Sequence, residues 1–374
     1  MRLHEIGIDE IRDIARGATI LGCGGGGDPE IGRLLAEEAI RLNGPVHVED
    51  PDDLDDGAFV LASAMMGAPT VVVEKVPSGK EPLHSFRRIE EELGRKADAV
   101  TSMECGGLNS TIPILVAAQT RLPLVDGDGM GRAFPELQME TFSVYGVQGS
   151  PACVSDEDGN TVVCEAKDDV EMEWLLRGVT IRMGGAAYLA HYPMSGADFK
   201  RTAVKRTMSL NHQIGVAVRE ARRTQENPIE ALGNAFDGTE YGRPRVIFRG
   251  KLIDVARETR RGFALGRATA SGLDDFAGSR LEVAFQNENL VAHLDGEAVA
   301  TVPDLIIWLD PETGEAIPNE RTHYGQRVTV LAVEVPPIMT SDAALQVWGP
   351  EAFGYPDLSY WPIRERRQRT LEAL

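Results

Sequence analysis

Behind Asp28-Pro29, apolar residues recur at helical spacing at Ile31, Leu34, Leu35 and Ile40, which predicts a helix capped by Asp28 with Pro29 at its first position. A shorter helix is predicted upstream over Ile8 to Gly17. The acidic stretch Glu49 to Asp56 reads as a solvated loop, and the unbroken apolar run Phe59 to Met66 as a strand. Val71 to Val76 reads as a further extended segment, Leu83 to Lys96 as a charged surface helix and Asp98 to Met103 as an alternating strand. Asn109 stands where it would cap a helix reaching Ala118, and Pro123 to Asp126 reads as a last short strand. Strands separated by helices at this spacing pair in parallel through right-handed crossovers, so the expectation over residues 1–165 is an open parallel α/β domain.

The pattern then changes. Val170 to Arg223 reads as largely helical, broken at Gly184-Gly185 and at Pro193 to Gly196. From Arg245 short extended runs alternate with turn signals: Val246 to Phe248, Arg280 to Phe285, Leu290 to Leu294, Ala298 to Val302, Leu305 to Leu309 and Arg327 to Val335. Asp295-Gly296 and Thr313-Gly314 sit where hairpins turn, and Cys153 and Cys164 flank another turn at Asp158-Gly159. The expected second domain spans 166–374, helical at 170–223 and β-rich at 245–335, in the manner of a small barrel or sandwich.

At 374 residues with 43% hydrophobic and 26% charged positions, the chain has the balance of a globular protein of about two domains. Asp plus Glu number 58 against 38 Lys plus Arg, and the net charge of -20 repels nucleic acid. The amphipathic, acidic start lacks the features of a signal peptide and no apolar run reaches membrane-spanning length, so the expected location is cytoplasmic, without a membrane partner. The expected partners are a small heterocyclic molecule and further copies of the same chain. Four scattered cysteines do not make a disulfide framework, and each is read alone.

Two segments concentrate chemistry. In Gly22 to Gly27 the glycines allow sharp turns and close approach, and the helix start behind them offers N–H groups from Gly24, Gly25 and Gly26 to an anion or oxyanion. A dinucleotide fingerprint needs a strand just before and an acidic partner after, and neither is present; a plain helix-to-helix turn is the competing explanation. The second segment is Met103 to Asn109, followed by the Asp126 to Glu136 stretch after the next strand. Ligands collect beyond the carboxyl ends of parallel strands, so Glu104, Cys105, Asn109, Asp126, Asp128, Arg132 and Glu136 are expected to face one crevice. A cysteine near a helix start is a nucleophile or a zinc ligand when its thiol pKa is depressed. Cys23 and Cys105 fit that setting, and His191 is the preferred third zinc ligand, with His212 the competitor. No CxxC or HExxH spacing backs a metal, and a small buried hydrophobe is the plain alternative for each cysteine.

The motifs Gly22-Cys-Gly-Gly-Gly-Gly-Asp-Pro, Gly67-Ala-Pro-Thr with Glu74-Lys75, Glu104-Cys-Gly-Gly-Leu-Asn and the long run from Leu122 to Met139, with Val302-Pro-Asp-Leu-Ile and Tyr324-Gly later, resemble those of the S-methyl thiohydantoin desulfurase family. The resemblance spans most of the chain. It implies an α/β N-terminal part, a largely β C-terminal part, and hydrolysis of an S-methylated thiohydantoin to a hydantoin and methanethiol in the degradation of S-methylated ergothioneine or related histidine betaines. Family members commonly carry Thr at the position of Cys23 and Ile at that of Cys105, and the paired thiols point to a shared task. In the zinc scheme Cys23, Cys105 and His191 hold the metal, Asp126, Asp128 or Glu104 serve as general base and acid, and glycine-loop N–H groups with Arg132, aided by Asn109 and Glu136, bind the ring. Without zinc, Cys105 is the nucleophile. Alternatives are a metal-dependent hydantoinase-like cyclic amidase and a non-catalytic ligand-binding subunit of a hydantoinase-type complex.

Overall fold

The computed structural model describes residues 2–68, 71, 75, 77–260, 263–363 and 372–373. Its first helix, Ile8–Leu21, runs past the predicted end at Gly17 because it crosses the helix Thr207–Thr224 at very short range. A Cβ at Gly17 would lie 2.0 Å from the Asn211 carbonyl oxygen, so only glycine allows the crossing. Asp28 caps Pro29–Asn43 as its sequence predicts, accepting the Glu30 N–H at 3.0 Å.

The first sheet is built from β1 (Glu5–Ile6), β2 (Val46–Glu49), β3 (Phe59–Gly67), β4 (Ala99–Ser102), β5 (Leu124–Asp128), β6 (Ala152–Ser155), β7 (Thr161–Cys164), β8 (Ala186–Ser195) and β9 (Val204–Lys205). The order is β1-β2-β5-β4-β3-β8-β6-β7, with β9 on β5. β2, β5, β4 and β3 are parallel neighbours, and all the remaining pairings are antiparallel. The sheet is therefore mixed rather than parallel throughout. It also draws strands from both sides of residue 166. The main departure is β8, which lies inside the stretch expected to be helical. Gly184 and Gly185, both at positive φ, end the helix Asp169–Arg182, and the almost wholly buried Ala186–Ser195 then inserts between β3 and β6. A strand buried on both faces has no alternation to distinguish it from a buried helix.

Two smaller expectations also change. The helix after β4 is Ile112–Thr120, preceded by Thr111, while Asn109 lies in a 3-10 turn and uses its side chain elsewhere. Of the expected extended segment 71–76, positions 72–74 and 76 lie outside the described residues, and the Lys75 N–H donates to the Val71 carbonyl at 2.9 Å as in a helical turn.

The second sheet is antiparallel, from β10 (Arg245–Arg260), β11 (Phe263–Gly272), β12 (Arg280–Gln286), β13 (Glu288–Leu294), β14 (Glu297–Thr301), β15 (Leu305–Leu309), β16 (Arg327–Val333) and β17 (Glu372–Ala373), in the order β14-β13-β12-β11-β10-β16-β15 with β17 on β10. β10 extends well past Val246–Phe248, its outer part largely exposed and rich in charge and so without apolar rhythm in the sequence, and β11 pairs along it, half-buried there and carrying a single charge at Arg267. The sheet curls until its ends meet: Asn289 Nδ2 on β13 donates to the Ile306 carbonyl on β15 at 2.8 Å. Among the described residues no helix is long and apolar enough to cross a membrane.

Arg132 joins the two sheets. Fully buried, it donates from Nη1 to the Pro303 and Asp304 carbonyls at 3.1 and 3.0 Å, from Nη2 to the Asn289 carbonyl at 3.0 Å and from Nε to the Ala133 carbonyl at 3.1 Å. A buried guanidinium needs such satisfaction of its donors, and each carbonyl needs a donor in return. Arg132→Met leaves several of these carbonyls unsatisfied, so the expected loss is about 3 kcal/mol or more. Urea unfolding reads it, and a loss under 1 kcal/mol would show that the halves hold together by other means.

Candidate functional site

A narrow cleft of about 50 Å³ opens beyond the carboxyl ends of β3, β4 and β5. Met65, Met66, Met103, Met130 and Phe134 form apolar walls, and Glu104, Asn109 and Glu288 supply the polar groups inside. Gly26 closes one side, while Glu136, Arg177 and Asn287 also line it. Of the residues anticipated from sequence, Glu104, Asn109, Glu136 and Gly26 are brought together here.

Each polar group is held from behind. Asn109 accepts the Met65 N–H at 2.6 Å and donates from Nδ2 to the Met65 carbonyl at 3.0 Å and to Glu104 Oε1 at 2.7 Å. Glu104 Oε2 accepts the Phe134 N–H at 3.3 Å. Glu288 comes from the second sheet, just beyond the β12–β13 hairpin tip at Asn287 (φ 55°), and its Oε1 accepts the Gly26 N–H at 3.1 Å. Its Oε2 has no hydrogen-bond partner. The tip is seated on the glycine loop: the Asn289 N–H donates to the Cys23 carbonyl and the Asn319 N–H to the Gly24 carbonyl, each at 2.8 Å. A Cβ at Gly25 would lie 2.2 Å from Glu288 Oε1, so that glycine exists to admit a carboxylate of the protein itself. Gly24 likewise faces the Asn319 and Asn289 side chains. The sequence offers these N–H groups to a ligand; the folded chain gives the one on Gly26 to Glu288.

Electrostatics sets the two carboxyls apart from ordinary acids. Burial pushes Glu288 up to about 8, against the opposing pull of the Arg132 charge. Burial also raises Glu104 well above the usual range, and the Glu288 charge is the next largest cause. Two carboxyls that repel in a low dielectric do not both ionise, so at neutral pH the pair retains a proton.

The remaining candidates serve other purposes. Asp126 accepts the Met208 and Ser209 N–H groups at 2.9 and 3.1 Å and the Ser209 hydroxyl, fixing the start of the helix Thr207–Thr224. Asp128 Oδ2 accepts the Cys105, Met130 and Gly131 N–H groups at 2.9, 3.1 and 2.8 Å and shapes the loop after β5; burial raises its pKa to about 6. Arg132 is committed to carbonyls and does not line the cleft. Cys23 and Cys105 are fully buried and do not line it either. Burial pushes Cys23 up to about 11, and burial with the neighbouring Asp128 and Glu104 charges raises Cys105 well above an ordinary thiol. This is the reverse of the depressed thiol anticipated from sequence, because carboxylates and apolar packing surround the sulfur. His191, central in β8, pairs through Nε2 with Glu140 Oε1 at 2.7 Å, and burial lowers it to about 3. His212 lies on the helix Thr207–Thr224. Among the described residues no group of three or more His, Cys, Asp or Glu side chains is arranged to hold a metal, so Cys23, Cys105 and His191 do not fit a zinc site. Pro69, Thr70 and Glu74 of the Gly67-Ala-Pro-Thr and Glu74-Lys75 motifs lie outside the described residues.

Glu288 escaped the sequence reading because Gln286-Asn-Glu-Asn289 looks like a polar break between two strands. Its one signal is a turn without glycine between long apolar runs. A buried acid whose folded pKa is raised binds its proton more tightly when folded, so stability falls as pH rises from about 4.5 to about 8. Glu288→Gln removes that contribution while keeping an acceptor for Gly26, and its stability relative to wild type is expected to rise between pH 5 and pH 8.5 in urea titrations. A flat difference would place Glu288 in water.

The comparisons with known proteins agree with this architecture. A family described as "S-Me-THD-like, N-terminal domain" matches residues 9–166, and its companion "S-Me-THD-like, C-terminal domain" matches residues 167–363. No curated protein matches the chain. The crystal structure of a protein from Chromobacterium violaceum superposes with a TM-score of 0.79 at 25% identity, covering 96% of this chain and 100% of that one. With both halves matched along nearly their whole length, the chain belongs to the S-Me-THD-like family.

Proposed function

We propose that this protein hydrolyses an S-methyl thiohydantoin to the hydantoin and methanethiol, with Glu104 and Glu288 as the acid and base. The observation that carries the reading is the pair itself: two buried, mutually repelling carboxyls from different halves of the chain, lining one narrow cleft with an amide between them and the β3 backbone. Family membership supports the substrate class. The resemblance in the motifs supports reading such a step as part of the breakdown of S-methylated ergothioneine-type betaines.

The reacting carbon is amidine-like, bonded to the S-methyl group and doubly bonded to a ring nitrogen. The ionised member of the pair takes a proton from water as the water oxygen bonds to that carbon, and the protonated member gives its proton to the ring nitrogen. The tetrahedral intermediate then expels methanethiolate, which takes up the proton held by the base, while the hydroxyl proton of the intermediate returns to the carboxylate that protonated the ring nitrogen and the C–O bond becomes the hydantoin carbonyl. The methionine and Phe134 walls keep bulk water out and strengthen both transfers. Cys105 and Cys23 have no step in this scheme, since their thiols stay protonated behind the cleft.

Incubation with a 5-substituted S-methyl thiohydantoin, followed with a thiol trap and chromatography, is expected to give one methanethiol per intact hydantoin. Ring-opened carbamoyl acid without thiol would replace this reading with a cyclic amidase, and binding without turnover with a non-catalytic subunit. Glu104→Gln and Glu288→Gln are each expected to lower kcat by roughly 100- to 10,000-fold, and kcat/KM of the wild type to rise towards about pH 8 as Glu288 ionises to become the base while Glu104, raised by burial and by the Glu288 charge, keeps its proton. Gly25→Ala, which crowds Glu288 without touching Glu104, is expected to lower kcat by at least ~10-fold with the fold kept by circular dichroism. Full activity in any of the three variants would remove the pair from the mechanism.

A further inference from the structure

Ten large apolar side chains stand exposed among the described residues, and four of them fall on the one helix Asp169–Arg182: Val170 at 60%, Trp174 at 71%, Leu175 at 40% and Ile181 at 58%. The helix buries Met172 and Leu176 against the first sheet. Positions 170, 174, 178 and 181, one per turn, form a stripe on its opposite side. Gly178 is the odd member of that stripe. A Cβ there would meet nothing within 4 Å, and its φ is not positive. Neither a close approach nor a turn within the chain requires glycine, although glycine in a helix interior is less stable than alanine. The missing side chain leaves a flat place one turn from a large exposed ring. Charge on the same helix is segregated, with Asp169 and Glu171 in the first turn and Arg182 in the last. Arg182 is exposed and makes no ion pair among the described residues.

We propose that this face binds the same face of a second copy of the chain, the two helices running antiparallel across a twofold axis midway between positions 174 and 178. A twofold interface has to be self-complementary, and this stripe is. Trp174 of each copy covers Gly178 of the partner subunit, Val170 packs on the partner's Ile181, and Glu171 meets the partner's Arg182. Antiparallel helices also oppose their dipoles favourably. A parallel pair would set Arg182 on Arg182 and Trp174 on Trp174, with the place at Gly178 unfilled. The four apolar side chains expose on the order of 400 Å², about half of the roughly 800 Å² per partner that a standard interface buries. The open groove beside the helix, with Phe263 under the Arg177 guanidinium at 5.2 Å from the ring centroid, supplies adjoining surface. Two copies that each carry a charge of -20 repel at a distance, so a contact between them needs apolar area and basic groups set against acidic ones, which this face has. The inference does not depend on the reaction proposed for the cleft.

Sedimentation of the full chain tests this. The wild type is expected to be dimeric at micromolar concentration, and Trp174→Ala to raise the dissociation constant at least ~30-fold. Circular dichroism is expected to stay unchanged, since that ring is 71% exposed in the single chain. Gly178→Gln, made in the Trp174→Ala background, is expected to raise the melting temperature as a better helix former. Made alone, it is expected to weaken the dimer at least ~10-fold by standing where the partner's ring lies. Glu171→Arg and Arg182→Glu are each expected to weaken the dimer about 3- to 10-fold at low salt, and the double variant to return to within about threefold of the wild type, because the pair is remade with its signs exchanged. A monomeric wild type would overturn the proposal, and so would a dimer whose affinity is unmoved by Trp174→Ala and Gly178→Gln. A dimer weakened by those two and not recovered in the double charge variant would overturn the antiparallel arrangement.

Discussion

One buried positive charge holds the architecture together. Arg132 sits in the loop after β5 and reaches carbonyls at β13 and at the lead into β15, so its charge is spent on backbone oxygens of the other half. Its position fixes the β12–β13 tip against the glycine loop, and the tip in turn brings Glu288 to Gly26. The same guanidinium is the main influence opposing the burial that raises Glu288. Mechanical joint and electrostatic tuning come from one side chain.

This arrangement changes the meaning of the glycine run. Runs of this kind usually expose backbone donors to a phosphate or an oxyanion. Here the loop meets an internal carboxylate, and glycine is required by the closeness of that approach. The cost of burying Glu288 is offset partly by the Gly26 N–H and partly by retaining a proton.

Much of this was legible in the sequence, and unevenly so. The Asp28 cap, β3, β4 and β5 and the carboxyl-end crevice with Glu104, Asn109 and Glu136 follow from patterns within a few residues. β8 was hidden because a strand buried on both faces has no period, and the outer part of β10 because an exposed charged strand has none either. The roles of Asp126, Arg132 and His191 depended on partners far along the chain, at Ser209, Asn289 and Glu140. The setting of Cys105 differs from the sequence expectation for a similar reason: the turn and the helix are readable, whereas the carboxylate that raises its thiol arrives from another strand. Glu288 was the extreme case, a site residue whose only neighbours in sequence are those of a turn.

The distance along the chain between the two acids has a consequence for the newborn protein. Glu104 leaves the ribosome long before Glu288, and the first sheet has all its strands once Lys205 has followed. A nascent chain at that stage has the Glu104 wall of the cleft but lacks Asn287 and Glu288, which line its other side, so the two buried carboxyls meet only when the second sheet docks.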